Sequence, residues 1–371
     1  MRAAVNGWSH DAGTRGRRRR ALPAAMLLAL LGACTTFGPG VVRYQQADYA
    51  SALAEAGKRQ MLLNILKLRY GDVPSFVTVS QILAGYSVQG TISVGTELLS
   101  GNSLRLSDDA NIGLGGTFTN NPTVTYAPVT GANFARSFLT PLQPADLFGL
   151  MLAGSEPMLV LTLGLHSIGT FDNERSGPGV HQPAVPEFVE TLELLLRLQR
   201  SGRLTVRLDV RDQKRVAWLQ LEDGGGAEDR AAGRRLRQLL RLPPDRRVFE
   251  VVYALDEAGP GQIPIRTRSL IEVLGQLAAD IDVPADDTAE GRAFPASPPA
   301  DELPPLPHIV VHHSLLEPPD AFVTVNYDGD WFWIANNDLA TKRVLSFVML
   351  LSSLSDSSRP SQLPVISIPA G

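Results

Sequence analysis

Apolar residues recur at two different periods along the 371-residue chain, and the change of period predicts its elements. Over residues 48–70 the spacing is helical. Leu53, Ala56, Leu63 and Leu66 form one stripe, which Met61, Leu62, Ile65 and Leu68 widen, so the second half of this helix is expected to be buried. Asp48 is the expected N-cap, and Gly71 followed by Pro74 is the expected stop. Lys58, Arg59, Lys67 and Arg69 are assigned to its solvated face.

Over residues 85–118 the period falls to two. Tyr86, Val88, Ile92, Val94 and Leu98 alternate with Ser87, Gln89, Thr91, Ser93 and Glu97. After a turn at 99–103, Ala110, Ile112, Leu114 and Phe118 share a side opposite Asn111, Thr117 and Thr119. The pattern predicts a long β-hairpin with a small, almost uncharged polar face, weakened by Gly90, Gly95, Gly113, Gly115 and Gly116. An apolar strip of this length needs a cover. Either it packs on the helix at 48–70, or several copies each donate a hairpin to a composite outer-membrane barrel, for which strands of about 9–11 residues suffice. In the second case oligomerisation is obligatory, because open strand edges are not tolerated in hydrocarbon. Ile92 and Val94 are candidate interaction residues under either reading.

Further along, residues 122–128 read as a short edge-like strand. Residues 144–153 and 157–168 read as short helices, the second with a buried strand as its alternative. The Gly- and Pro-rich stretch 173–185 reads as a loop. Helices are expected at 186–200, 229–242, 268–281 and 339–354, and strands at 204–210, 248–255 and 365–368. A proline-rich loop covers 284–307. Asp328-Gly329 predicts a two-residue turn joining strands 322–327 and 331–335. The fold class is α+β: an N-terminal helix plus long β-hairpin (48–172), then, after the loop at 173–185, a mixed sheet covered by helices (186–371).

The Asp-Gly turn pairs Asn326 with Trp331, Thr324 with Trp333, Val325 with Phe332 and Val323 with Ile334. The aliphatic set is the expected core side, which leaves Trp331 and Trp333 together on the opposite face. That face is an aromatic contact platform if open and a second core layer if a helix covers it. His308 and His312 would share one side of a strand or helix, with His313 beside them. Two histidines without a supporting acid motif fall short of a zinc site, so no metal or other cofactor is expected. No G-x-S-x-G elbow, phosphate-binding glycine loop or H-E-x-x-H helix occurs, and the chain is expected to act without catalysis.

The leader changes the picture most. Arg15, Arg17, Arg18, Arg19 and Arg20 precede a short apolar stretch ending in Leu31-Gly32-Ala33-Cys34, and Cys34 is the only cysteine. These 34 residues resemble the precursor of a diacylglyceryl-modified bacterial lipoprotein. The resemblance implies a signal peptide at 1–33, lipid transfer to Cys34, cleavage between Ala33 and Cys34, and acylation of the new amino terminus. A lipidated tether would follow at 34–47. Thr35, where an inner-membrane retention signal would usually be Asp, implies the periplasmic face of the outer membrane.

With this leader removed, its net +5 comes off the stated −4 and leaves a body of about −9, a poor match for nucleic acid. The partners implied are the membrane, through Cys34, and envelope proteins or further copies of the chain. The runs 62–72, 122–126 and 329–334 are also similar to a group of uncharacterised proteobacterial lipoproteins, a resemblance that brings no activity with it. The expected role is a structural or interaction component of the envelope. Its first rival is a subunit of an oligomeric export or pore complex, and its second is a periplasmic hydrolase or metal-dependent enzyme.

Overall fold

The computed structural model describes residues 39–83, 86–95, 111–120, 123–177, 180–255, 258–295 and 307–356, with side chains for 47–79, 123–177, 181–255, 258–295 and 307–354. The expected leader with Ala33 and Cys34, the hairpin turn at 99–103, residues 296–306 of the proline-rich loop and the strand at 365–368 lie outside these residues. The chain divides into two compact units, residues 1–57 and 58–371, and every described element after the first helix belongs to the second.

Helix α1 is Pro39–Arg69. It begins nine residues before the expected N-cap, so Asp48 is interior and the tether is helical from Pro39 onward. Proline suits a first helical position because its φ is already set and its missing N–H would have had no partner there. The predicted stop holds. Gly71 takes φ +75°, Gly71 N donates to Leu68 O, and Asp72 N donates to Lys67 O at 2.8 Å, which together make a Schellman closure. Met61, Leu62, Ile65 and Leu66 are buried as expected. Arg69 departs from expectation. It is 2% exposed rather than solvated, because the strap Ala293-Phe294-Pro295 crosses the last turn: Phe294 N donates to Arg69 O, and Arg69 Nη1 donates to Pro295 O at 2.7 Å.

Strands β1 (Val77–Leu83), β2 (Tyr86–Gly95), β3 (Asn111–Asn120) and β4 (Thr123–Pro128) form two antiparallel pairs, β1 with β4 and β2 with β3, together called the ribbon below. Leu83 pairs with Thr123 and Tyr86 with Asn120, so the two rails keep the same register across the break between the strand pairs. The one irregularity is a bulge between Val79 and Gln81. The strand expected at 122–128 is therefore the partner of β1 rather than an isolated edge strand.

The body is built on a six-stranded mixed sheet in the order β6-β5-β12-β11-β10-β9. Its strands are β5 (Leu165–Ile168), β6 (Phe171–Asp172), β9 (Leu204–Arg211), β10 (Lys214–Leu221), β11 (Val248–Tyr253) and β12 (Gln262–Thr267). Only β11 and β12 run parallel. Leu204, Val206, Ala217, Leu219, Phe249, Val251, Ile263 and Ile265 are buried, and the positions between them are half-exposed or exposed, as period-two alternation demands of a sheet with one core face. Helices α2 (Pro144–Leu152) and α4 (Pro186–Arg200) pack on this sheet. Helix α3 is Pro157–Gly164, after which the chain switches to strand at Leu165, so both alternatives for 157–168 are realised in succession. Helix α5 is Ala227–Leu239, and α6 (Leu270–Ala278) opens on a capping box between Ser269 and Glu272. The proline-rich stretch that comes next is not loop from its start, since a short helical segment, Ala285–Ala289, carries the buried Asp287.

Residues 173–185 are not a free loop. They carry a small hairpin, β7 (Arg175–Gly177) with β8 (Val180–Gln182), and Asn173, Glu174 and Ser176 are buried. A single hydrophobic cluster joins residues on both sides of this segment, from Met61 to Leu351. The third sheet has the order β13-β15-β14, from β13 (His312–Ser314), β14 (Ala321–Tyr327) and β15 (Asp330–Ala335), and α7 (Leu339–Asp356) follows it. The Asp-Gly turn is as expected, with Asp328 at φ +49° and Gly329 at φ +93°, both required by the tight turn that matches strand twist.

Candidate functional site

The tryptophan face has the expected register: Asn326 opposite Trp331, Thr324 opposite Trp333, Val325 opposite Phe332 and Val323 opposite Ile334. Val323, Val325, Phe332 and Ile334 are buried, so the aliphatic face is the core face. Trp331 and Trp333 are half-buried, which makes them neither an open platform nor a closed second core layer. Strand β13 pairs His312 with Trp333, and their rings sit 4.6 Å apart at a tilt of 38°. The indole N–H of Trp333 and the hydroxyl of Thr324 are both buried and find no partner among the described residues.

The three neighbouring histidines do not converge. His308 Nδ1 lies 3.3 Å from Asp280 Oδ2, His313 Nε2 lies 3.7 Å from Asp282 Oδ2, and His312 stacks on Trp333. The Asp280 carboxylate raises the His308 pKa above the ordinary value of 6.5 in spite of burial, which works the other way. Among the described residues no three His, Cys, Asp or Glu side chains are placed to share a metal ion.

Two polar networks lie where no motif pointed. In the first, Ser176 Oγ is 2.8 Å from Glu174 Oε1 and 2.9 Å from His181 Nδ1. The composition suggests a hydrolytic triad, but the connectivity does not. The described hydrogen bonds run from Ser176 to each of the other two, rather than from acid to imidazole to serine as a triad requires. Ser176 N donates to Gln276 Oε1, Asn173 Nδ2 donates to Thr162 O and Leu165 O, and Arg268 Nη1 donates to Thr162 O and Leu163 O. Arg268 Nη2 also donates to Glu174 O. These donors satisfy the carbonyls left open at the end of α3, where a cation is also favoured by the helix dipole. Burial pushes the Arg268 pKa down to about 10.

In the second network, Tyr70 donates to Asp287 Oδ2 at 2.5 Å, Arg292 Nε donates to Asp287 Oδ1 at 3.0 Å, and Tyr327 donates to Asp72. The Tyr70 and Tyr327 rings are 5.0 Å apart. Burial, and then the adjacent carboxylates, raise the pKa of both phenols. Burial alone would raise the Asp287 pKa, but the hydrogen bonds from Tyr70 and Arg292 outweigh it and hold the carboxyl below its ordinary value. This network ties the end of α1 to the β14–β15 turn and is structural.

A cavity of about 830 Å³ opens between the start of α2 and strands β10 and β11. Its charged groups neutralise one another, with Arg215 Nη1 on Asp146 Oδ1 at 2.9 Å. It brings together no nucleophile and base.

The ribbon is the last candidate. At the level of the backbone, β2 and β3 place Val88 opposite Phe118, Ile92 opposite Leu114 and Val94 opposite Ile112. Between these rungs, Ser87 is opposite Thr119, Gln89 opposite Thr117 and Ser93 opposite Gly113. The two rails thus agree on which face is apolar. The side chains of Ile92 and Val94 are not among those described. Among the described residues β1 pairs with β4 and β2 with β3, and none of the four pairs with a strand of the body. At the root, where side chains are described, Val77 and Tyr126 are exposed.

No described helix is long and apolar enough to cross a membrane. The chain matches no family model, no curated protein and no solved structure.

Proposed function

We propose that this protein is an outer-membrane lipoprotein, anchored through Cys34 on the periplasmic side, that acts without catalysis as an assembly component of the envelope and makes its contacts through the β1–β4 ribbon. The observation that carries this reading is the pair of two-stranded antiparallel sheets, β1 with β4 and β2 with β3, which share no described strand with the body sheets. A two-stranded unit is marginal in water by itself, and strand edges are templates for another strand. Such an element makes physical sense as a contact surface. The polar clusters of the body support a non-catalytic role, since each one closes on itself: Ser176 is held by Glu174 and His181, and Asp287 by Tyr70 and Arg292.

The test compares full-length protein extracted in mild detergent with a variant in which residues 84–122 are replaced by a short turn. Mass spectrometry of the intact protein should find acyl chains on Cys34. Light scattering should find the full chain in a complex of several chains and the shortened variant as a folded monomer. A full chain that is itself monomeric, or a complex unchanged by loss of the ribbon, would overturn the reading.

A further inference from the structure

We infer that the ribbons of several copies of this chain join edge to edge into one closed β-barrel that crosses a lipid bilayer, an inference that rests on the assembly reading above and names its geometry. Three observations converge on it. The first is the sorting of faces. The register of β2 and β3 puts Val88, Ile92 and Val94 on the same side as Ile112, Leu114 and Phe118, while hydroxyl, amide and glycine positions occupy the other side. That is the apolar-out, polar-in alternation of a transmembrane barrel around a wet lumen.

The second observation is charge. Residues 73–96 and 110–135 contain no Asp, Glu, Lys or Arg, in a chain of which 19% is charged. Glu97, Arg105, Asp108 and Asp109 all fall in the connection between the two arms. A contact surface on a soluble partner has no need to exclude every charge from both faces of both arms. Hydrocarbon does, and it leaves the connection free to be charged where the hairpin re-enters water.

The third observation is dimension. β2 and β3 have 10 residues each, within the roughly 9–11 that a tilted strand needs to cross the hydrocarbon. The β1–β4 pair shares the register of β2–β3, with Leu83 opposite Thr123 and Tyr86 opposite Asn120.

A two-stranded unit cannot sit alone in hydrocarbon, and topology names its neighbour as a second copy. Rotation about a ring axis sets the descending rail β3–β4 of one copy beside the ascending rail β1–β2 of the next. Every contact is then antiparallel, and the strand count is even. Such a head-to-tail contact repeats until the ring closes and no edge is left. Closure needs at least about eight strands, hence four copies, and an open aqueous channel of about 16 strands needs about eight copies.

The experiment uses full-length lipidated protein reconstituted into phosphatidylcholine–phosphatidylglycerol vesicles. Single cysteines are placed at Val88→Cys, Ile92→Cys and Val94→Cys, and separately at Ser87→Cys, Gln89→Cys and Ser93→Cys. Each variant is exposed to a membrane-partitioning maleimide and to a water-soluble one, with tryptophan fluorescence as a check that the body is folded. Even-numbered positions are expected to lose reactivity toward the aqueous reagent and react from the lipid phase. Odd-numbered positions should do the reverse. The vesicles should conduct ions, and those carrying the variant without residues 84–122 should not. Equal aqueous reactivity at odd and even positions, in protein that still runs as a multimer, would overturn the barrel and leave the assembly reading standing. A monomer in detergent would overturn both.

Discussion

Replacing Arg268 with methionine tests a buried polar arrangement of the body. The guanidinium is 3% exposed and spreads over three carbonyls, those of Thr162, Leu163 and Glu174. Burial lowers its pKa from 12.5 to about 10, which corresponds to roughly 3 kcal/mol against the charged form that methionine would relieve. The losses are larger. Thr162 O keeps Asn173 Nδ2 at 2.7 Å, but Leu163 O and Glu174 O lose the Arg268 donor, at about 1–3 kcal/mol each. The buried Glu174 also loses a compensating cation, and stripping one partner from a buried charged group costs about 3–5 kcal/mol.

The net expectation for Arg268→Met is a destabilisation of about 2–8 kcal/mol. Lysine retains charge but cannot fork over three acceptors, so Arg268→Lys should lose about 1–3 kcal/mol. Guanidinium denaturation of the detergent-solubilised protein, followed by tryptophan fluorescence, measures both. A methionine variant within about 1 kcal/mol of the parent, or a lysine variant equal to it, would refute the argument that the fork over the α3 carbonyls stabilises this region.

Two further outcomes are expected from titration and from packing. The His308–Asp280 pair raises the folded pKa of His308 above its unfolded value of 6.5, so its contribution is full below about pH 6.5 and is lost as the pH rises through the folded value. The denaturation midpoint should therefore fall as the pH rises above about 6.5, by an amount that His308→Gln abolishes, and an unchanged slope in that variant would sink the assignment. At Gly164 an added methyl would lie 2.5 Å from Leu147 Cδ2, a side chain that is itself fully buried. Gly164→Ala should cost about 1–3 kcal/mol by overpacking, and a melting temperature equal to the parent's would show that the contact yields freely.

Elements specified by neighbours in sequence were legible, and those specified by distant partners were not. The β14–β15 turn could be read from Asp328-Gly329 because the turn requires φ > 0 at both positions and the alternation of Val323, Val325, Phe332 and Ile334 leaves one register. The closure of α1 at Gly71 was legible for the same local reason. Arg69 looked solvated because nothing near it announces a strap arriving from Pro295. Arg268 lies more than 90 residues from each of its carbonyl partners, and the hairpin at 175–182 hid in a stretch whose glycines and prolines resemble a loop. The extent of the ribbon was half legible. Alternation marked 85–118, but the prolines at Pro122 and Pro128 made the returning root read as a separate edge strand rather than as the partner of Val77–Leu83.

The glycines of the ribbon, which weaken it as secondary structure, take on another meaning when the life of a newly made chain is considered. Neutral, strand-forming segments are the raw material of fibrils. Gly90 is opposite Gly116, Thr91 opposite Gly115 and Ser93 opposite Gly113, so glycine interrupts three of the rungs that a dry zipper would need. Biogenesis then has a safety margin written into the same rungs that make the arm fragile.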